Sequence, residues 1–308
     1  MSELPSVGTR VAVRFRLPAG SEPPLSDAVG HLLAVAPMVR VRTKTGEVVE
    51  FAPGDVLTVR RLTDVPVRNS QIRAVEHAAA LAFPGIEHRW MDGWLLRAGA
   101  GDTFRANSAI PLEMGASFAS VPAIVDFYVE RGLTPLFAIP DRLVSMRDDT
   151  TVERENRTLV AELPGTLPPR PDVALADSPG PDWLAGYDRD VAVEELAAVL
   201  DGRLCFAVGP AGAVARAAIT AAPDGTRWVG ISDVHVDAGQ RRRGQASAVC
   251  AALLAWAVEH GATHGYAHVR DGDDAALGLF AGLGFAPQHR FRYVRTEAIW
   301  VDPGTRRR

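Results

Sequence analysis

The chain has 308 residues, 47% of them hydrophobic, and a formal charge of −4, so it can build packed cores but has no global attraction to nucleic acid or an anionic membrane. Its two cysteines, Cys205 and Cys250, fall in a predicted strand and a predicted helix, which argues against a disulfide framework and for a reducing, cytoplasmic setting. The opening Met1-Ser2-Glu3-Leu4-Pro5 lacks the regions of a signal peptide, and the uncharged run from Ala246 to Val258 is too short to cross a bilayer.

Residues 1–66 read as five short strands: Arg10 to Arg16, Val29 to Val35, Val39 to Thr43, Val48 to Phe51 and Val56 to Leu62. Thr45-Gly46 and Pro53-Gly54 supply turns. So many strands in so short a stretch suggest a small barrel, similar to the Src-homology-3 type. Arg10, Arg14, Arg16, Arg40, Arg42, Arg60 and Arg61 give it either a basic face for a partner or charged edges that discourage strand pairing.

From residue 67 to 165 the pattern becomes mixed. Ser70 is placed to cap a helix through Ala82, which Pro84-Gly85 ends. Gly93 to Ala98 and Thr103 to Leu112 read as strands around Gly99-Ala100-Gly101-Asp102; a helix from Val121 to Arg131 and a strand from Thr134 to Ile139 follow. Val129-Glu130-Arg131-Gly132-Leu133-Thr134 has a counterpart in Val258-Glu259-His260-Gly261-Ala262-Thr263, a helix ending at glycine with a strand at once behind it. The parallel suggests a diverged internal duplication. Pro164-Gly165-Thr166-Leu167-Pro168-Pro169-Arg170-Pro171 is the expected linker into residues 166–308.

Beyond it, strands are expected at Val173 to Ala176, Leu204 to Val208, Ala213 to Ala221 and Trp228 to Val236, with a helix from Val193 to Leu200. The last strand runs through Val234, His235 and Val236 into Asp237-Ala238-Gly239-Gln240-Arg241-Arg242-Arg243-Gly244-Gln245-Ala246 and a long helix whose Ala246, Val249, Cys250, Leu253 and Ala257 form one apolar stripe. A first helical turn has unpaired N–H groups and partial positive charge; glycine permits close approach and guanidinium groups add charge-assisted hydrogen bonds. That construction suits a pyrophosphate.

Arg241-x-x-Gly244-x-Ala246 after Val234-x-Val236 resembles the acetyl-CoA signature of the GNAT N-acetyltransferases, and the likeness continues through the helix and strand that follow to Leu283-Gly284-Phe285. The resemblance implies an α/β (α+β) chain: the small all-β barrel, then two GNAT-like mixed sheets flanked by helices, the first degenerate and the second intact. The first copy has Pro111-Leu112-Glu113-Met114-Gly115 where the cofactor loop would stand, so it is not expected to bind. The implied cosubstrate is acetyl-CoA, held by Val234, His235, Val236, Arg241, Arg242, Arg243, Gly244, Gln245, Ala246, Asp273 and Phe280, with no metal. The implied mechanism is direct attack of an amine on the thioester, aided by positioning, carbonyl polarisation from the Val234 to Val236 strand, and a base.

Asp233 and His235 are the ionisable side chains on that strand and share a face by alternation, so they are the base candidates; His235 has the better unperturbed pKa. The family often has a tyrosine proton donor where Phe280 stands, and an asparagine where Asp273 stands. Tyr293 and Tyr266 are the substitute acids, unless water serves or the thiolate leaves unaided.

The tandem arrangement behind a barrel, with Gly93-Trp94-Leu95-Leu96-Arg97 and Arg105-Ala106-Asn107-Ser108, resembles bacterial N-acetylglutamate synthases. It implies a small-molecule amine acceptor, glutamate first, whose carboxylates call for cations from Arg97, Arg105 and Arg292, in a cleft between the copies. A protein N-terminus, lysine or polyamine is the alternative acceptor. A non-catalytic acyl-CoA-binding regulator is the alternative function, and a homodimer stays open.

Overall fold

The computed structural model describes residues 4–5, 7–18, 20–43, 45–62, 67–100, 103–146, 150–187 and 189–299. Met1–Val67 and Arg68–Arg308 form two compact units. The first is an antiparallel sheet of β1 (Arg10–Arg16), β2 (Leu25–Ala34), β3 (Val39–Thr43), β4 (Val48–Phe51) and β5 (Val56–Arg61), in the order β4-β3-β2-β1-β5. Val11, Val13 and Phe15 alternate inward, and Phe15 stacks on Phe51 at 4.0 Å. Two of the basic side chains are spent locally: Arg14 bonds Asp27 and Arg40 bonds Glu50 across the strands. As exposed pairs they contribute little to stability.

The second unit begins with α1 (Asn69–Ala82), then β6 (Glu87–Met91), β7 (Trp94–Ala98), β8 (Ala109–Pro111), α2 (Val121–Val129), β9 (Leu136–Pro140) and β10 (Arg154–Glu162). It continues with β11 (Ala174–Ala176), α3 (Pro181–Gly186), α4 (Val193–Leu196), β12 (Arg203–Val208), β13 (Val214–Ala221) and β14 (Arg227–His235). The chain then forms α5 (Gln245–Glu259), β15 (His264–Arg270), α6 (Asp274–Gly282), β16 (Ala286–Arg295) and α7 (Thr296–Ile299). Arg68, not Ser70, holds the N-cap of α1, with the Gln71 side chain reaching back to its N–H. The strand expected from Thr103 shrinks to β8 because residues 104–106 form a turn; Gly101 and Asp102 lie outside the described residues.

All strands from β6 onward join one sheet, in the order β11-β12-β13-β14-β15-β10-β16-β9-β8-β7-β6. The halves expected at 67–165 and 166–308 are therefore not separate bodies. Each gives its last strand to the other: β10 pairs β15, and β16 pairs β9, with β10 and β16 antiparallel at the centre. The parallel pairings also recur on both sides, β8 with β9 and β14 with β15. Exchange satisfies ladder hydrogen bonds that two separate sheets would leave at open edges.

The buried clusters assign the faces. Val229 and Ile231 of β14 pack with Val249, Cys250 and Leu253 of α5, while α2 packs on Trp94, Leu96 and Phe137. Ala74, Val75, Ala78 and Ala82 of α1 pack on the opposite face, against Ala218, Trp228 and Tyr266. Trp183 and Tyr187 cover Phe206 and Val214 on that same face.

Candidate active site

Strand β14 departs from regular pairing at the point where the chemistry is expected. Its parallel ladder with β15 stops at Gly230↔Tyr266, so the strands part beyond it. On the other side the register slips between Val214 and Arg216, because Ser232 to His235 spans one residue more than its partner. Asp233 takes φ 53° at this bulge. Val229 and Ile231 face the α5 core, and so do Val234 and Val236; the step of three between the two pairs turns Asp233 to the opposite face. Without the extra residue, alternation would drive this carboxylate into the apolar core.

The bulge delivers Asp233 to a cavity of about 210 Å³ on the α1 face. Asp233, His268, Asn156, Phe291 and Tyr293 line it from the sheet, and Phe83, Thr103, Phe104 and Arg105 from the first half of the unit. Arg154 of β10, with Tyr187, Arg189 and Glu195 from around α3 and α4, completes the polar lining. The Asp233 carboxylate accepts from Ser232 Oγ at 2.7 Å and Tyr187 Oη at 3.0 Å, and Arg105 Nη1 stands 3.9 Å away. Burial raises its pKa, but Arg105, Arg216 and these hydrogen bonds outweigh burial and hold it below the usual carboxylate range. A carboxylate so satisfied is a weak proton acceptor; it serves better as the anchor of the arginines.

Tyr293 also lines the cavity, edge-on to Phe104 at 5.2 Å, and burial pushes its phenol pKa up. It stays protonated and able to donate. Glu195 is fully buried: Oε1 accepts from Thr103 Oγ1 at 2.5 Å, and Oε2 has no hydrogen-bond partner among the described residues. Arg216 spans beneath, donating to the carbonyls of Ala82, Leu196 and Ala198, with burial pushing it down to about 10.

On the other face, the loop after β14 is exposed from Asp237 to Gly239 and from Arg241 to Gly244. Arg241 Nε bonds the Val236 carbonyl at 3.0 Å, Arg243 bonds Gln240 at 3.1 Å, and Arg242 turns with φ 62°. Gly244 takes φ 79° as N-cap of α5 and provides no side-chain cap, so among the described residues nothing accepts from the N–H groups of Gln245, Ala246 or Ser247. An anion fits here.

Several expected site residues stand elsewhere. Arg97 is 3% exposed and bonds the carbonyl and hydroxyl of Ser108, so it is part of the core and does not line the cavity. Arg292 lies on the face of β16 opposite Phe291 and Tyr293, between Asp141 and Glu155 at 3.5 and 3.6 Å. Both are corrected as acceptor ligands; Arg105 alone of the three reaches the cavity. His235 is half-buried, 3.8 Å from Asp237, and is not among the cavity-lining residues. Asp273 caps α6 by accepting from Ala276 N–H at 3.0 Å, and Phe280 packs edge-on to Phe285 at 5.3 Å. The sequence reading missed His268, Glu195, Tyr187, Arg154 and Arg189, which come from separated segments with no shared motif. Among the described residues no group of three or more His, Cys, Asp or Glu is placed to hold a metal, and no helix is long and apolar enough to cross a membrane.

Comparison with known proteins adds the family. Residues 69–294 match the family described as "Probable histone acetyltransferase Rv0428c C-terminal", and residues 5–60 match "Rv0428c N-terminal Sm-like domain". The N-terminal five-stranded unit is thus of the Sm-like kind. Over 303 residues, 98% of this chain and 99% of the other, the sequence is 47% identical to the "Probable histone acetyltransferase Rv0428c" of Mycobacterium tuberculosis. Among solved structures, a GCN5-related N-acetyltransferase from Kribbella flavida is 17% identical with a TM-score of 0.49, over 74% of this chain and 95% of that one. A GNAT-family acetyltransferase described as putative in its source, from Novosphingobium aromaticivorans, is 19% identical with a TM-score of 0.39, over 52% and 71% of the two chains.

Proposed function

The chain belongs to the family of the probable histone acetyltransferase Rv0428c, and from that premise we propose that it is an N-acetyltransferase of the GNAT type that moves acetyl from acetyl-CoA to the amine of a small amino acid. Glutamate is the first acceptor to test. When bound, acetyl-CoA supplies the acetyl group as a thioester and a thiol as leaving group. The loop from Arg241 to Ala246 is assigned to its pyrophosphate, because that loop joins exposed arginines to uncapped amides.

One observation carries the acceptor assignment: the cavity mixes signs. Asp233 is neutralised by Arg105, which leaves Arg154 and Arg189 to attract a carboxylate and the charge of the buried Glu195 to favour an ammonium. A zwitterion answers both; a purely cationic acceptor leaves two arginines opposed. In the transfer, the acceptor nitrogen bonds to the acetyl carbon as the carbon–sulfur bond breaks. The bound ammonium first gives one proton to water to become the attacking amine, a second proton leaves the nitrogen as the new bond forms, and the sulfur takes one from Tyr293 or water. The family relative's name favours a second reading, a lysine side chain of a basic protein.

Free-thiol release from acetyl-CoA, followed with single amino acids, polyamines and a lysine-rich peptide, tests both. Amino-acid-dependent release whose KM rises in Arg154→Ala and Arg189→Ala supports the zwitterion. Release with the peptide alone establishes the second reading, and release with none of these amines overturns both.

A further inference from the structure

The cavity contains a histidine that is held by a carboxylate, and the acetyl-transfer scheme above leaves it without a task. His268 lies on β15, in the part of the strand that β14 has left, and it lines the cavity opposite Asp233. Its Nε2 is 3.1 Å from Oε1 of Glu76, a residue of α1 that is 1% exposed. The same oxygen accepts from Thr158 Oγ1 at 2.7 Å and stands 3.0 Å from Nε2 of His289. Burial raises the pKa of Glu76, but the charges and hydrogen bonds of His268 and His289 prevail and hold it far below the usual carboxylate range.

An ionised carboxylate only accepts hydrogen bonds, so it places the imidazole hydrogen on Nε2 and leaves Nδ1 as a lone pair. Among the described residues Nδ1 has no hydrogen-bond partner. The ring is fixed in other ways too: Phe291 packs at 4.6 Å and Tyr266 at 5.5 Å between centroids. Facing the ring are Glu76 from α1, Thr158 and Asn156 from β10, His289 and Tyr293 from β16, Asp233 from β14, and Arg105 from the loop after β7. Of these, Asp233 is tied to Arg105, Tyr187 and Ser232, whereas the Nδ1 lone pair of His268 has no such partner among the described residues.

We propose that His268 is the general base for the acceptor amine, taking its proton on Nδ1, and that Glu76 is the positioning residue that sets the tautomer. The inference rests on the acetyl-transfer reading of the cavity. As nitrogen bonds to the acetyl carbon and the carbon–sulfur bond breaks, the nitrogen's proton passes to Nδ1. Glu76 then faces an imidazolium, which it stabilises, and the proton leaves to solvent before the next turnover.

The test uses the full-length enzyme with acetyl-CoA and its best amine. His268→Ala is expected to lower kcat by about 10²-fold or more, to bind acetyl-CoA within twofold of wild type, and to recover activity with added imidazole. Glu76→Gln is expected to lower kcat severalfold with KM for acetyl-CoA unchanged, because the ring loses the acceptor that holds its tautomer, and Glu76→Asp to restore part of the loss. Nitrogen-15 spectra should show His268 protonated on Nε2 in wild type and mixed between tautomers in Glu76→Gln. Transfer that survives His268→Ala within threefold, or an Nδ1-protonated His268, overturns the inference. Wild type that transfers acetyl to no amine overturns the parent reading and this one together, whereas transfer retained in His268→Ala sinks this one alone.

Discussion

Tyr187 donates its hydroxyl hydrogen to Asp233 at 3.0 Å, joining the segment behind α3 to the bulge of β14 across the cavity. The bond fixes a carboxylate that is 7% exposed and is the counter-charge nearest Arg105. Removing it isolates buried positive charge. Asp233→Ala is expected to cost about 3 kcal/mol in urea unfolding, because a buried pair broken on one side leaves the other uncompensated. Tyr187→Phe, which deletes one hydrogen bond, is expected to cost roughly 1 kcal/mol. Equal small losses for both would mean that the ion cluster contributes nothing to the fold.

The coenzyme loop has its own test. Arg241→Ala with Gly244→Glu places a carboxylate at the amides of Gln245 to Ser247, in a position whose φ of 79° a side chain already strains. Acetyl-CoA affinity by calorimetry is expected to fall at least about tenfold, from lost charge-assisted bonds and like-charge repulsion. A circular dichroism spectrum matching wild type confines the effect to the site, and unchanged affinity would place the coenzyme elsewhere.

Glu76 predicts how stability responds to acid. Its folded pKa lies below its ordinary value of 4.5, so the unfolded chain binds more protons and stability rises with pH. The contribution is complete above about 4.5 and drains away as pH falls toward the folded value. Glu76→Gln removes that titration. Denaturant midpoints measured from pH 6 down to pH 3 should therefore fall less steeply for the variant, and parallel curves would contradict the assignment.

Gly230 predicts a packing penalty. A Cβ there would run into the hydroxyl and ring of Tyr266, which is 6% exposed on the neighbouring strand. Gly230→Ala is expected to cost roughly 1–3 kcal/mol from this overpacking. Paired with Tyr266→Leu, the combined loss should be smaller than the sum of the two single losses, since the overlap disappears. Additive losses would show that the two residues do not touch.

The sequence by itself determined the local elements and the coenzyme loop. Alternation marks β1 and β14, the apolar stripe marks α5, and Gly244 after three arginines marks a helix start, because each depends on neighbours within one or two turns of chain. It also placed Tyr293 and Arg105 among the candidates, though for reasons that concern residue type rather than position. What the tertiary structure alone decided is which of these meet. The assembled sheet brings Glu76 within 3.1 Å of His268, 192 residues away, ties Arg97 to Ser108 and sets Arg292 between Asp141 and Glu155. The one-residue bulge at Asp233 reverses the face that strict alternation assigns. Strand exchange and bulges depend on which ladder hydrogen bonds are left to satisfy once the sheet assembles, and no local pattern records that.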